Sequence, residues 1–296
     1  MSRRRTIRHP GPVAAERHRA VSCRIEPLAL TLGAGMAIND AVAEAFAGAG
    51  YRAGWADLSY IHMEKMNYVM PAASADDDHA AWYSETYHPP SGGLIRSAGL
   101  HLGLRDDEPF LHCHGTWDVP GAGRRMGHLL PFEAVLARPA AIAAYGIADA
   151  ALVVRDDAET NFRLFSPERQ EPTNGVGSRE ALLATVRPNV DICETIETIC
   201  AQHGVANATV LGIGSLVGVR YSDGRDIPDH ATEVLIRDGR VRLENGARCC
   251  TLEIDMVGMS GVRTSGLLAK GYNPVCVTFE LLIVADSESA SSAAKR

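Results

Sequence analysis

The sequence predicts an α+β fold of two tandem units, each a mostly antiparallel sheet flanked by helices. Apolar residues recur at helical spacing in residues 38–49 and again in residues 191–203, and such a stripe is typical of an amphipathic helix. A hydrophobic strand pattern follows each helix, in residues 54–68 and 208–221. Further along, an offset of 138 residues aligns a segment of the first half with one of the second. The same order of elements in both halves indicates two copies of one unit.

Both predicted helices have recognisable ends. The first begins at Ile38 and is ended by Gly50. In the second, Asp191 is a candidate N-cap with Glu194 three residues later, which is the spacing of a capping box. Gly204 supplies the residue after the C-cap, where glycine is favoured because it tolerates a positive φ.

The segments related by the offset are HCHGTWDVPGAGRRMGHLL, which begins at residue 112, and CTLEIDMVGMSGVRTSGLL, which begins at residue 250. The alignment places Gly123 on Gly261, and both segments end in Leu-Leu. Each half then closes with a predicted strand after a proline, in residues 140–147 and 275–284.

We therefore predict five regions in chain order: a flexible basic arm (1–22), the first unit (23–166), a polar linker (167–178), a second, degenerate unit (179–286) and a disordered tail (287–296). The arm has no apolar run, so it does not match a secretory signal. It could contact nucleic-acid phosphates, or it could simply be a solvated end. The linker is assigned from its prolines and glycines.

Composition indicates a globular protein with a sizeable core. The chain has 296 residues, 46% of them hydrophobic and 22% charged, and a formal net charge of −7. An acidic body argues against binding of polyanions by charge alone. The seven cysteines include no C-x-x-C pair, which favours reduced thiols and a cytoplasmic location. No apolar run approaches the ~18–20 residues that cross a bilayer.

Three histidines indicate a metal site. His112 and His114 are separated by one residue, so on a strand both side chains lie on one face and Cys113 lies on the other, in the core. If the chain folds back about Gly121, His128 lies opposite His114 and three imidazoles converge. Three histidine ligands leave one coordination position open, as in catalytic zinc sites. A divalent metal is therefore predicted, with zinc favoured.

The second copy lacks this histidine cluster. The offset places His112, His114 and His128 on Cys250, Leu252 and Gly266. A polar row after the first helix, formed by Tyr60, His62 and Glu64, has the counterparts Gly214, Leu216 and Gly218. The first copy also carries a longer excursion in residues 71–93, which could form a lid or wall. These contrasts would be explained if the first copy kept a functional pocket and the second served as a scaffold. The alternative to a metal site is that the histidines, of which the chain has eleven, lie on the surface or form ordinary hydrogen bonds.

The first copy contains H-x-H, then a glycine-containing turn and then Gly-His. The predicted strand LIRSAGLHLGL and the acidic turn RDDEP precede these motifs. This order resembles the plant-and-prokaryote-conserved (PPC) domain family. The resemblance covers residues 24–165 and, more weakly, the second half as a degenerate copy. It implies an α+β fold assembled as a homotrimer, with His112, His114 and His128 as metal ligands. Plant members act in DNA-binding proteins next to an AT-hook. This chain has no Arg-Gly-Arg-Pro hook, and Met126 stands where the family has glycine.

The favoured function is a metal-dependent enzyme, a hydrolase, hydratase or lyase acting on a small oxygenated or carboxylate substrate. Such a site needs a general acid/base near the metal, and Glu64 on the polar row is the candidate. His62 and Tyr60 would orient the substrate, and Glu133 is a reserve carboxylate.

Other functions and partners remain open from the sequence. Arg124 and Arg125 could hold a substrate carboxylate or belong to a solvated turn. A DNA-binding or regulatory protein with a structural metal is the main alternative, and it would depend on the arginines at residues 3–5. A non-catalytic metal-binding assembly module is a third. The expected partners are a small-molecule substrate and further copies of the chain in a trimer-based homo-oligomer, with no membrane.

Overall fold

β-strands form most of this protein, for which a computed structural model describes residues 5–172 and 177–286. Seventeen strands of the described residues join one sheet, which is almost entirely antiparallel, whereas the same residues contain two helices of 11 residues each. The predicted α+β class, with helices flanking each sheet, is therefore wrong, and the fold is β-rich. The reason is that each half has one helix, while segments predicted as arm and linker also pair as strands.

The elements of the first half run from β1 to β13. They are β1 (His18–Leu32), α1 (Ile38–Gly48), β2 (Gly54–Leu58), β3 (Ile61–Lys65), β4 (Tyr68–Val69), β5 (Pro71–Ala72), β6 (Trp82–Tyr83), β7 (Gly93–Arg105), β8 (Glu108–Val119), β9 (Gly123–Leu129), β10 (Val135–Leu136), β11 (Ala140–Ile147), β12 (Ala150–Asp156) and β13 (Arg163–Arg169).

The elements of the second half run from β14 to β21. They are β14 (Arg179–Val186), α2 (Ile192–Gln202), β15 (Ala208–Leu216), β16 (Val219–Arg220), β17 (Asp226–Ile227), β18 (Thr232–Glu244), β19 (Ala247–Gly258), β20 (Arg263–Leu267) and β21 (Val275–Ala285). Both helices lie where the apolar stripes predict them. The Asp191 side chain accepts a hydrogen bond from the Glu194 N–H at 3.0 Å, and Gly204 has a φ of 72°.

Strand β1 connects the two halves of the sheet. Its second part pairs with β11, and its first part pairs with β14. On one side the strand order continues from β11 through β2, β7 and β8 to β9. On the other side it continues from β14 through β21, β15, β18 and β19 to β20. The order of strands is therefore the same on both sides of the β1–β14 pair.

The N-terminal arm differs from the prediction. Residues 18–22 belong to β1, and Ile7 and His9 are buried. The Arg17 guanidinium donates to both carboxylate oxygens of Glu159, at 2.8 and 2.9 Å. Parts of residues 5–22 are thus packed on the body, where Arg5 and Arg17 pair with acidic residues. Residues 1–4, residues 173–176 of the predicted linker and the predicted tail (287–296) lie outside the described residues.

Turn geometry corrects the offset between the halves. The hairpins β7–β8 and β18–β19 each turn at two residues with positive φ, Asp106-Asp107 and Asn245-Gly246, as in type I′ turns. Counting from these turns gives an offset of 139 residues in β8 and β19, not 138. A shift of one residue exchanges the two faces of a strand. The counterparts of the three histidines are therefore not the predicted Cys250, Leu252 and Gly266 but Thr251, Glu253 and Leu267.

Four buried hydrophobic clusters lie among the described residues, and the three largest support this arrangement. One covers α1 and the first-half strands, and a second covers α2 and the second-half strands. The third draws on both halves; its members include Trp55, Leu183, Ile213, Leu235 and Leu282. Each such side chain stabilises the fold by roughly 1.5–3 kcal/mol relative to an exposed one. The third cluster holds β7 and β8 against β15 and β18, so the face of β8 that carries the histidines is covered by the second half.

Neither helix of the described residues is long enough to cross a membrane. Each spans 11 residues, about half of the ~20 that a bilayer requires.

Candidate metal centre

The three predicted histidines converge. In the β8–β9 pair His114 lies directly opposite His128, and the turn between the strands has positive φ at Gly121. His112 lies on the same face of β8 as His114 because side chains alternate along a strand. The ring centroids are 4.6 Å apart for His112 and His114, 4.7 Å for His112 and His128, and 5.4 Å for His114 and His128. The prediction that folding about Gly121 brings these rings together is confirmed, and Cys113 is fully buried as predicted.

Two acceptors orient the rings of His112 and His114. The His112 Nδ1 lies 2.7 Å from Glu280 Oε2, and the His114 Nδ1 lies 3.1 Å from the Val234 carbonyl oxygen. Because an Nδ1–H donates to each acceptor, the opposite nitrogens are left to face one another. The two Nε2 atoms are 2.9 Å apart. Fixing a histidine through its second nitrogen is the usual way in which proteins orient metal ligands.

Two buried glutamates from the second half complete the cluster. Glu233 in β18 and Glu280 in β21 are 7% and 2% exposed. Glu233 Oε2 is 2.6 Å from the Nε2 of His114. The site is therefore built from both halves of the chain, which sequence reasoning missed. For Glu280 the available signal was a single acidic residue inside the apolar strand β21, since a carboxylate buried there needs a partner. For Glu233 the signal was weaker, because β18 also carries Asp238 and Glu244.

A fourth histidine lies beside the cluster and was also missed. His101 in β7 is paired with His112 in β8, so both side chains lie on one face of the sheet. The His101 ring is fully buried and stands edge-on to Trp55, with ring centroids 4.8 Å apart. Folding the acidic turn at Asp106-Asp107 back on itself would have placed His101 opposite His112. Burial lowers the pKa of His101 to about 4, so this ring is neutral near pH 7.

Burial sets the protonation of the three converging rings. It lowers the pKa of His112 to about 3 and, with the neighbouring rings, holds the pKa of His128 well below its usual range. Burial alone would lower the pKa of His114, but the contact with Glu233 outweighs the effect of burial and raises that pKa. Burial raises the pKa of Glu280 to about 7. His112 and His128 are thus neutral near pH 7 and keep a lone pair for a metal ion, which binds deprotonated imidazole.

These residues fit a divalent metal. One ligand nitrogen from each of His112, His114 and His128 lies within 4.8 Å of the others. Nitrogens bound to one tetrahedral zinc ion are about 3.4 Å apart, so small side-chain rotations would complete the site. The Nδ1 of His128 is buried and has no hydrogen-bond partner among the described residues. Imidazole nitrogens with a neighbouring carboxylate suit zinc and other first-row metals.

A cavity of about 140 Å³ adjoins the three histidines. Its polar end is formed by the histidines with Glu233 and Glu280, and aromatic and aliphatic residues line most of the rest. Trp82 and Tyr83, from the long excursion of residues 71–93, belong to its wall. The Trp82 ring stacks on Phe162 with centroids 5.3 Å apart. The excursion therefore forms a wall of the cavity, one of the two roles predicted for it.

The predicted catalytic row lies away from this cavity. Tyr60 is 68% exposed, His62 and Glu64 are exposed on β3, and none of the three lines the cavity. β3 pairs with β7 at Ile95. Ile95 lies six residues before His101 in β7, which is roughly 20 Å along a strand. His62 and Glu64 lie on one face of β3, and that face is turned to solvent. Tyr60 precedes β3 and has a positive φ of 57°, so the alternation of the strand does not extend to it.

The reserve residues also have other partners. Glu133 Oε2 accepts a hydrogen bond from the Asn67 side chain at 2.8 Å. Arg124 pairs with Asp118 near the hairpin tip, and Arg125 is exposed. Neither arginine lines the cavity, so neither is placed to hold a substrate there.

Comparison with known proteins gives partial structural matches. No family model and no curated protein sequence matches the chain. A metal-containing protein from Archaeoglobus fulgidus is similar at 15% identity and a TM-score of 0.37, covering 48% of this chain and 93% of that one. A PPC protein from Pyrococcus horikoshii is similar at 21% identity and a TM-score of 0.30, covering 37% and 80%. A candidate DNA-binding protein from Ralstonia eutropha JMP134 is similar at 12% identity and a TM-score of 0.33, covering 47% and 89%.

A PPC protein is thus among the similar solved structures, in line with the resemblance in the sequence. Each of these three matches covers less than half of this chain.

Proposed function

We propose that this protein binds one divalent metal ion, with zinc favoured, through His112, His114 and His128 and uses it as a metal-dependent enzyme on a small oxygenated substrate. The observation that carries this proposal is the convergence of three ring nitrogens within 4.8 Å, with a buried carboxylate 2.6 Å from one of them. The reaction class is hydrolysis, hydration or a lyase reaction. Three protein nitrogens leave a coordination position open, as in catalytic rather than structural zinc sites.

Different residues of the chain would have different roles in the proposed reaction. Glu280 and the Val234 carbonyl hold the rings of His112 and His114 in place. Glu233 would take up and return a proton at the reacting atoms. This general acid/base role was predicted for Glu64 from the sequence. Burial of His114, Glu233 and Glu280 strengthens these electrostatic interactions. A divalent cation bound there supplies a Lewis acid that polarises a substrate oxygen.

Metal content tests the proposal. Purified wild-type protein is analysed by inductively coupled plasma mass spectrometry beside His112→Ala. The matched control is His62→Ala, which removes an exposed histidine of β3. We expect near-stoichiometric metal in the wild type and the control, and loss in His112→Ala with an unchanged circular dichroism spectrum. Equal metal content in all three proteins would contradict the site.

Three predictions from the sequence stand beside this proposal. They are the trimer-based homo-oligomer, the cytoplasmic location and, as the alternative function, DNA binding with a structural metal. Among the described residues Arg5 pairs with Asp226, so one of the three arginines required for DNA binding already has an acidic partner.

A further inference from the structure

Tyr83 borders the polar end of the cavity. It lies in β6, on the long excursion of residues 71–93, and lines the cavity together with Glu233 and Glu280. The Tyr83 ring meets the ring of His128 edge-on, with centroids 5.3 Å apart. The excursion therefore places a tyrosine directly beside one of the three candidate metal ligands.

The Tyr83 hydroxyl lies near the two buried carboxylates. Burial raises the pKa of Tyr83, and the negative charges of Glu233 and Glu280 raise it further. Such charge interactions weaken with distance, so the hydroxyl is close to the glutamates that contact His112 and His114. The phenol keeps its proton near pH 7 and can donate it in a hydrogen bond.

This hydroxyl is free to bind a ligand. Among the described residues it has no hydrogen-bond partner. Two other hydroxyls of the cavity wall are engaged. Thr232 donates to the Leu216 carbonyl at 3.1 Å, and Ser215 donates to a backbone carbonyl of β21 at 3.4 Å. The hydroxyl of Thr278 also lines the cavity without a partner in the described part of the chain, so it serves as a comparison below.

Contacts on both sides of Tyr83 hold it in place. The Ser84 N–H donates to the Met70 carbonyl at 2.8 Å, and the Ser84 hydroxyl accepts from the Met70 N–H at 3.0 Å. On the other side the Trp82 ring stacks on Phe162. A donor that is already held in position needs little reorganisation when charge develops on a substrate oxygen.

We propose that the Tyr83 hydroxyl donates a hydrogen bond to the substrate oxygen held at the metal, and that it thereby selects ligands that present an oxygen acceptor there. This inference rests on the proposed function, because the metal ion places the oxygen. It gives the excursion a role beyond that of a cavity wall, since this segment supplies the hydrogen-bond donor.

Two zinc-binding probes separate a hydrogen bond from packing. Acetohydroxamate presents oxygen atoms to zinc, whereas ethanethiol presents sulfur, which is a weak acceptor. Their dissociation constants for the zinc-loaded protein are measured by isothermal titration calorimetry. We expect Tyr83→Phe to weaken acetohydroxamate at least about tenfold, a difference of ~1.4 kcal/mol, and to leave ethanethiol unchanged. Unchanged binding of acetohydroxamate, or equal weakening of both probes, would overturn the inference.

Tyr87→Phe is the matched control. Tyr87 belongs to the same excursion and is 41% exposed, against 38% for Tyr83, but it does not line the cavity. This variant should bind both probes as the wild type does, and a loss as large as that in Tyr83→Phe would overturn the inference. Thr278→Val should weaken acetohydroxamate less than Tyr83→Phe does. The reverse order would assign the hydrogen bond to Thr278 instead.

Zinc content measured on the same samples separates the two proposals. We expect equal zinc in the wild type and in Tyr83→Phe. A wild-type protein that takes up no zinc contradicts the proposed function and, with it, the role of Tyr83. A zinc-loaded Tyr83→Phe protein that binds acetohydroxamate as the wild type does overturns the inference alone.

Discussion

Glu280 Oε2 lies 2.7 Å from His112 Nδ1, although the two residues are 168 positions apart in the chain. This contact joins β21 of the second half to β8 of the first and fixes the ring of a candidate ligand. A carboxylate that accepts from a metal-bound histidine orients the ring and raises its basicity. The second half therefore contributes to the candidate site, although it lacks the histidine cluster.

Removing this carboxylate should weaken metal binding without abolishing it. For Glu280→Gln we expect a metal affinity lower by about 10–100-fold, the usual cost of losing such a partner. Affinity is measured by competition with a chromophoric chelator. Glu244→Gln, an exposed glutamate of β18, is the control and should bind as the wild type does. Identical affinities of the two variants would show that Glu280 does not position His112.

Replacing Glu233 should slow catalysis, whereas replacing Glu64 should not. With p-nitrophenyl acetate as a general probe of hydrolysis, Glu233→Gln should lower the rate of the zinc-loaded protein by about 10²–10⁴-fold while metal content persists. Glu64→Gln should leave the rate unchanged because Glu64 is exposed on β3, outside the cavity. A larger loss for Glu64→Gln would instead support the role predicted from the sequence.

The contact of Arg17 with Glu159 should stabilise the fold in a pH-dependent way. Burial works to raise the pKa of Glu159, but Arg17 and the Ala14 N–H outweigh it and lower that pKa. A lowered pKa means that this stability is present above the unfolded value of ~4.3 and is lost as pH falls through the folded value. Arg17→Ala should therefore cost about 1–3 kcal/mol at pH 7 and progressively less as the pH falls through the folded pKa of Glu159, measured by urea unfolding over a range of acidic pH. A cost that does not change with pH would contradict this account.

Duplex DNA should not bind at moderate salt. The chain has a net charge of −7, and Arg5 already pairs with Asp226. We expect no shifted band in an electrophoretic mobility assay at about 150 mM salt, where phosphate contacts are already weakened. A complex that weakens steeply with added salt and disappears when Arg3, Arg4 and Arg5 are replaced by alanine would favour the DNA-binding alternative.

Local patterns in the sequence were sufficient to predict that the three histidines converge. Alternation along a strand and the distance to Gly121 determine which residues of a hairpin face each other, so His112, His114 and His128 could be assembled from spacing alone. The two helices and the Asp191 cap followed from similarly local rules.

Long-range packing could not be derived in the same way. No local pattern states that β18 and β21 would cover β8, so Glu233 and Glu280 were missed. Alternation correctly grouped His62 and Glu64 on one face of β3 but does not say whether that face meets solvent or a cavity, and Tyr60 lies before the strand. The α+β class failed for a related reason, because pairing with β11 and β14 makes a strand of the segment in which the basic arm ends.

An anomalous-scattering map from crystals of the zinc-loaded protein, recorded at the zinc absorption edge, tests the central claim most directly. The account predicts one strong peak at ~2.0–2.1 Å from a ring nitrogen of each of His112, His114 and His128, with Glu233 beside it. A zinc peak elsewhere, with the three rings unliganded and hydrogen-bonded only to protein and water, would contradict the account.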